Sequence, residues 1–158
     1  MSNNVFRGNY DLNCFEIAFN KYKVSTCYYE KPFKVPSGVT VKICDNAKLI
    51  NPSTHEYDIN FSPIKTNIVP ACTPCYLESD EVKTYKFWFD ETNTDKAPEP
   101  NYFWGTNKDM NISNIFPKDK YLVCGLGRSS TTGEVGWWLR DDYNQPLPAH
   151  KVVLPLQR

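Results

Sequence analysis

Short runs in which apolar and polar residues alternate one by one constrain this chain more than any other feature of its sequence. The clearest run is Val82–Phe89, where every second residue from Tyr85 onward is aromatic. Successive side chains on a β-strand point to opposite faces, so such a run predicts a strand with one apolar face. The two faces of this strand are then Tyr85, Phe87 and Phe89 on one side and Thr84, Lys86 and Trp88 on the other.

Runs of the same kind recur along the chain, separated by Pro, Gly and Asn, which favour turns. No segment shows the 3.6-residue period of an amphipathic helix. Roughly nine or ten short strands with turns between them are typical of a sandwich or barrel. We therefore predict an all-β fold, an antiparallel β-sandwich of two sheets. Besides Val82–Phe89, its strand candidates include Cys14–Phe19, Val24–Tyr29, Val39–Cys44, Tyr57–Phe61, Ile64–Val69, Tyr121–Leu126, Val135–Leu139 and Lys151–Leu156.

Between these runs, the segments without apolar periodicity are expected to be loops. Asp45–His55 is interpreted as a loop, with a short helical turn over Asn46–Ile50 as the alternative, and Asp90–Pro100 as a long, exposed polar loop. In Asn107–Lys120, three apolar residues are expected to reach the core from a loop: Ile112, Ile115 and Phe116. Residues 1–158 are interpreted as one domain, because domains of about 100–150 residues are the commonest size.

Composition limits the partners to expect. The 18 basic residues are balanced by 18 acidic ones, so there is no broad positive field for a nucleic-acid backbone. No run approaches the ~18 consecutive apolar residues of a membrane span. The chain as given also has no charged start followed by an apolar run, so a cytoplasmic protein or a processed mature form is expected.

Motifs that would carry catalysis, metals or cofactors are incomplete. Cys72 and Cys75 have the spacing of a redox pair, but a β-patterned segment follows where a helix would be required, so a structural turn is favoured. The glycines at 125 and 127 begin like a dinucleotide fingerprint that no third glycine or helix completes. His55 and His150 are not beside a nucleophile motif. We predict no catalytic residues, no metal site and no cofactor, and therefore a protein that is not an enzyme.

Two adjacent tryptophans give the strongest indication of a functional surface. Tyr121–Asp142 is interpreted as two antiparallel strands joined by a Gly/Ser/Thr loop. Trp137 and Trp138 lie on the second strand and must point to opposite faces. Since alternation elsewhere places Val135, Trp137 and Leu139 on the core side, we predict that Trp137 is buried and that Trp138 points outward.

The predicted function is a non-catalytic binding module of lectin-like or cell-surface, protein-interaction type. Exposed aromatic rings and polar loops would bind a glycan or a protein surface, because Trp and Tyr offer a flat apolar face beside hydrogen-bonding groups. The alternative is a structural or self-assembling protein, such as a virion, spore or inclusion component, and a homo-oligomer is left open. The predicted ligand-binding residues are Tyr102, Trp104, Trp138, Arg140, Asp142 and Asn144.

Overall fold

The computed structural model describes residues 13–140 and 145–158, and within these ranges the chain forms twelve strands and no helix. The predicted all-β class is confirmed, with more strands than the nine or ten expected. In chain order the strands are β1 (Cys14–Ala18), β2 (Val24–Cys27), β3 (Phe33–Lys34), β4 (Val39–Asn51), β5 (Glu56–Pro63), β6 (Ile68–Val69), β7 (Cys75–Ser79), β8 (Thr84–Trp88), β9 (Trp104–Gly105), β10 (Tyr121–Arg128), β11 (Val135–Leu139) and β12 (Val152–Gln157).

The described strands form four antiparallel sheets rather than the two expected. Two sheets have four strands each: the central sheet, in the order β2-β7-β4-β5, and the tryptophan sheet, in the order β11-β10-β12-β9. The pairs β1-β8 and β3-β6 form separate two-stranded sheets. Among the described strands, only β4-β5 and β10-β11 pair neighbours in sequence, so most of these pairings join distant parts of the chain. The sandwich arrangement itself stays a prediction.

The central sheet carries apolar side chains on both faces. On β7, Cys75 and Leu77 are fully buried on one side, while Tyr76 between them packs against a different cluster. The first core therefore covers one face of this sheet, and a second core joins the other face to the tryptophan sheet. Full burial of a large side chain such as Phe87, which is 0% exposed in the first core, is worth about 1.5–3 kcal/mol.

A third core lies on the far face of the tryptophan sheet. There Val123 and Val153 are covered by the segment that precedes β10, in which Ile112 is fully buried and Phe116 nearly so. The prediction that this loop reaches the core is confirmed for these two residues. It is wrong for Ile115, which is 40% exposed.

One predicted loop is instead part of the longest strand. The segment Asp45–His55 was expected to be irregular, but β4 continues to Asn51 and only residues 52–55 form the turn. Two register shifts in the β4-β5 ladder, at Cys44/Asn46 and at Leu49/Asn51, explain the difference. Each irregularity interrupts the two-residue alternation that identifies a strand in the sequence.

Candidate functional site

The two adjacent tryptophans point to opposite faces of the tryptophan sheet, as predicted. The Trp137 ring stacks on Phe103 with ring centroids 4.9 Å apart and packs against the second core, where it is partly rather than fully buried. Trp138 is 40% exposed. The third member of the predicted core set, Leu139, is 53% exposed, so that prediction is wrong. Leu139 is the last residue of a strand at the edge of its sheet, where no neighbouring strand covers it among the described residues.

Glycines leave open space around Trp138 on its own face of the sheet. Gly125 is the direct cross-strand partner of Trp138, and Gly127 is the partner of Gly136. A Cβ at Gly125 or Gly127 would meet no atom within 4 Å, whereas one at Gly136 would lie 3.7 Å from Nε1 of Trp138. The indole therefore lies over Gly136 beside two unobstructed glycines. We call these four residues the tryptophan–glycine patch.

Arg140 places hydrogen-bond donors beside this patch. It lies two residues beyond Trp138, on the same face, and its backbone N–H donates to the carbonyl of Val123 at 2.7 Å. Its Nη2 donates to the carbonyl of Gln145, also at 2.7 Å. Its Nε is buried and has no acceptor among the residues that the structure describes. A buried N–H without an acceptor costs free energy.

A cavity of about 410 Å³ adjoins the patch. Gly125, the partner of Trp138, lines it together with Arg140. Among the described residues, the charged side chains that line it are Arg140 and Lys151, and both are positive. The other lining residues are Ala18, Asn20, Val24, Ser25, Thr26, Leu126, Leu147, Pro148, Val152 and Val153.

Trp104 does not join this surface. It lies on β9, at the opposite edge of the tryptophan sheet from β11, and pairs with Val153 of β12. With β12 and β10 between them, the two edge strands are about 14 Å apart at the usual strand spacing. The Trp104 ring packs edge-on against Phe116, with centroids 5.4 Å apart, so it belongs to the border of the third core.

The remaining predicted site residues lie elsewhere or cannot be placed. Tyr102 is 43% exposed, as a ligand-binding ring would be, but it lines a different cavity, of about 610 Å³, with Pro98 and Pro100. Asp142 and Asn144 lie outside the described residues. Of the six predicted residues, the structure thus brings together Trp138 and Arg140.

Sequence reasoning left out one exposed tryptophan. Trp88 on β8 is 46% exposed, and the ammonium of Lys86 lies 5.2 Å from its ring centroid. The alternation in Val82–Phe89 already placed Trp88 opposite the buried Phe87, so the signal was present. Its cross-strand partner is Cys14, whereas the partner of Trp138 is Gly125, which distinguishes the surroundings of the two rings.

The groups considered for catalysis have structural contacts. His150 stacks on Tyr29 with centroids 4.1 Å apart, and its Nδ1 is 2.8 Å from the carbonyl oxygen of Tyr28. His55 lies in the β4-β5 turn, with Nε2 3.3 Å from Nη1 of Arg158. Within residues 13–140 and 145–158, no three His, Cys, Asp or Glu side chains cluster closely enough to hold a metal ion.

The Cys72–Cys75 motif forms a turn that leads into β7. Cys72 is exposed, whereas Cys75 is buried with its Sγ 3.5 Å from that of Cys27 on β2. Burial, reinforced by the contact with Cys75, raises the pKa of the Cys27 thiol well above its usual range. A raised pKa lowers the thiolate fraction that redox exchange requires.

These observations define an all-β protein whose clearest candidate site is an outward indole on a glycine bed with a guanidinium beside it. Comparison with protein-family models, with curated proteins and with solved structures found no significant match to the chain. No helix in the described ranges is long and apolar enough to cross a membrane.

Proposed function

We propose that this chain is a non-catalytic, lectin-like binding module that binds a glycan at the tryptophan–glycine patch. The observation that carries the proposal is the exposed Trp138 indole beside glycines that leave its surroundings unobstructed. A sugar ring has an apolar C–H face and a rim of hydroxyls. An indole with open space around it accommodates the face, and Arg140 supplies donors to the rim.

The test compares two exposed tryptophans in one binding experiment. Wild type, Trp138→Ala and Trp88→Ala are applied to a glycan array, and the ligands found are titrated by calorimetry. We expect Trp138→Ala to weaken binding about 30-fold, the effect of losing a central aromatic contact of about 2 kcal/mol. Trp88→Ala is the matched control, because its ring is at least as exposed but lies outside the patch.

Three results would count against the proposal. Binding that is retained in Trp138→Ala would exclude the patch as the site. Binding lost only in Trp88→Ala would move the site to β8. Failure of wild type to bind any glycan would reject the lectin-like function itself.

A second candidate, self-assembly, is favoured by the exposed sheet edges. β5 and β11 are edge strands of the central and tryptophan sheets, and an edge strand can pair with another chain. Exposed apolar side chains accompany both edges, with Ile59 on β5 and Leu139 on β11. These features support association between copies of the chain as the alternative role.

A further inference from the structure

The cavity beside the patch has a pronounced charge bias although the whole chain is neutral. Its charged lining groups are the Arg140 guanidinium and the Lys151 ammonium, and no described carboxylate lines it. The hydroxyls of Ser25 and Thr26 and the amide of Asn20 supply uncharged polar groups. At about 410 Å³ it lies within the range of about 300–1,000 Å³ typical of small-molecule sites.

The guanidinium of Arg140 is held in place by one hydrogen bond among the described residues. One terminal nitrogen, Nη2, donates to the carbonyl of Gln145, and the backbone of Arg140 is fixed by the bond to Val123. The Nε hydrogen is buried and has no described acceptor. An anion that accepts from a guanidinium forms short, charge-assisted hydrogen bonds, stronger than those a hydroxyl forms. The positive charge of the Arg140 guanidinium, which lines the cavity, therefore favours an anionic group.

Lys151 provides a second positive charge on the same cavity. Its ammonium acts on the buried Cys27 thiol of β2, where it partly opposes the rise in pKa that burial causes. Val24, Ser25 and Thr26 of β2 line the same cavity as Lys151. An anionic group in the cavity would therefore lie near two cations.

We infer that this cavity is the subsite for an acidic sugar residue, whose carboxylate or sulfate binds Arg140 and Lys151 while a neighbouring sugar ring contacts Trp138. The inference rests on the proposed function, since it assigns the substrate class of the same site. Gly125 lies between the tryptophan–glycine patch and the cavity, because it pairs with Trp138 and also lines the cavity. A bulky side chain at this position would lie between the ring and the anion.

The experiment uses the same oligosaccharide core in three forms: neutral, carrying a carboxylate sugar and carrying a sulfate ester. Each is titrated into wild type, Arg140→Gln, Arg140→Lys and Lys151→Gln at two salt concentrations. We expect wild type to bind an acidic form at least 10-fold more tightly than the neutral form, with the preference reduced by added salt. Whichever acidic form binds more tightly identifies the anion as carboxylate or sulfate.

The variants separate charge from geometry. We expect Arg140→Gln to lower the acidic affinity about 10-fold to 100-fold, to the level of the neutral form. Arg140→Lys keeps the charge but loses the planar donor fork, so its affinity for the acidic form should lie between those of wild type and Arg140→Gln. Arg128→Gln is the matched control: this arginine bonds the carbonyl of Gly133 at 3.3 Å and does not line the cavity. Circular dichroism checks that each variant folds. If Arg140→Gln does not fold, the affinity of Lys151→Gln for the acidic form tests the inference instead.

The outcomes distinguish failure of this inference from failure of the proposed function. Equal affinity of wild type for neutral and acidic forms overturns the acidic subsite while the glycan-binding proposal stands. An acidic preference that persists in folded Arg140→Gln, or in Lys151→Gln where that variant decides, also overturns it. If no form binds, both proposals fail.

Discussion

Trp137 and Trp138 have identical side chains and adjacent positions, yet Trp137 is partly buried against the second core and Trp138 is exposed. The difference arises from strand geometry, which sends successive side chains to opposite faces. The Trp137 ring stacks on Phe103 of the second core, while the Trp138 ring lies over Gly136. The accessibility of an aromatic ring on a strand therefore depends on its neighbours, and the neighbours of Trp138 on its own face are glycines.

At the same scale, the cysteines are expected to differ in reactivity. Cys72 is exposed, whereas Cys27, Cys44 and Cys75 are nearly or fully buried. Burial raises the pKa of Cys44 to about 12 and that of Cys27 well above its usual range, so both are protonated near neutral pH. We expect an alkylating reagent applied to the native protein to modify Cys72 well before these three.

Peptide mass spectrometry over a time course of alkylation measures this order. Cys72→Ser should remove the early modification, and Cys27→Ser, the matched control, should leave it in place. Modification of Cys27 or Cys75 as fast as that of Cys72 would contradict the burial of the β2-β7 cysteine pair. In denaturant all of these thiols should react at similar rates.

Among the elements, β10 and β11 form a hairpin that local sequence predicts, whereas β9 is held by distant contacts. β9 has only two residues, and its pairing partner β12 lies about fifty residues further along the chain, a long-range contact of the kind sequence periodicity does not reveal. Gly105 in β9 lies so close to Tyr28 that a Cβ there would be 2.6 Å from the Tyr28 Cβ. Tyr28 cannot easily move, because its N–H donates to the carbonyl of His150.

Gly105→Ala should therefore destabilise the protein, by about 1–3 kcal/mol of unfolding free energy, the usual cost of an overpacked site. Gly125→Ala is the matched control, since a Cβ there meets nothing within 4 Å, and it should change stability by less than about 0.5 kcal/mol. Denaturant unfolding monitored by tryptophan fluorescence measures both. A Gly105→Ala variant as stable as wild type would contradict the close contact of β9 with Tyr28.

At the scale of the molecule, the two four-stranded sheets of the described residues end in edge strands, and an edge strand can pair with another copy of the chain. Sedimentation velocity at increasing concentration detects self-association. If copies associate through β11, Leu139→Lys should abolish the concentration-dependent rise in sedimentation coefficient, because it places a charge on the edge. Val82→Lys is the control, as Val82 is 57% exposed but outside the strands. A constant coefficient for wild type would reject assembly.

The sequence by itself determined the all-β class, the β10-β11 hairpin and the opposite orientations of Trp137 and Trp138. These three features follow from the alternation of apolar and polar residues, which depends only on residues that are close in sequence. It also placed Ile112 and Phe116 against the core. In β4, register shifts interrupt the alternation, so the sequence pattern predicts a loop where the structure has a strand.

Only the tertiary structure decided how the strands divide into four sheets and which predicted site residues meet. Trp104 and Trp138 are both aromatic residues on strands, but they lie on opposite edges of one sheet, and Trp104 packs against Phe116. Lys151 and Ser25, far apart in sequence, line one cavity with Arg140. The sequence pattern does not predict these features because the order of strands in a sheet and the walls of a cavity depend on pairing between distant segments. Alternation within one strand does not specify that pairing.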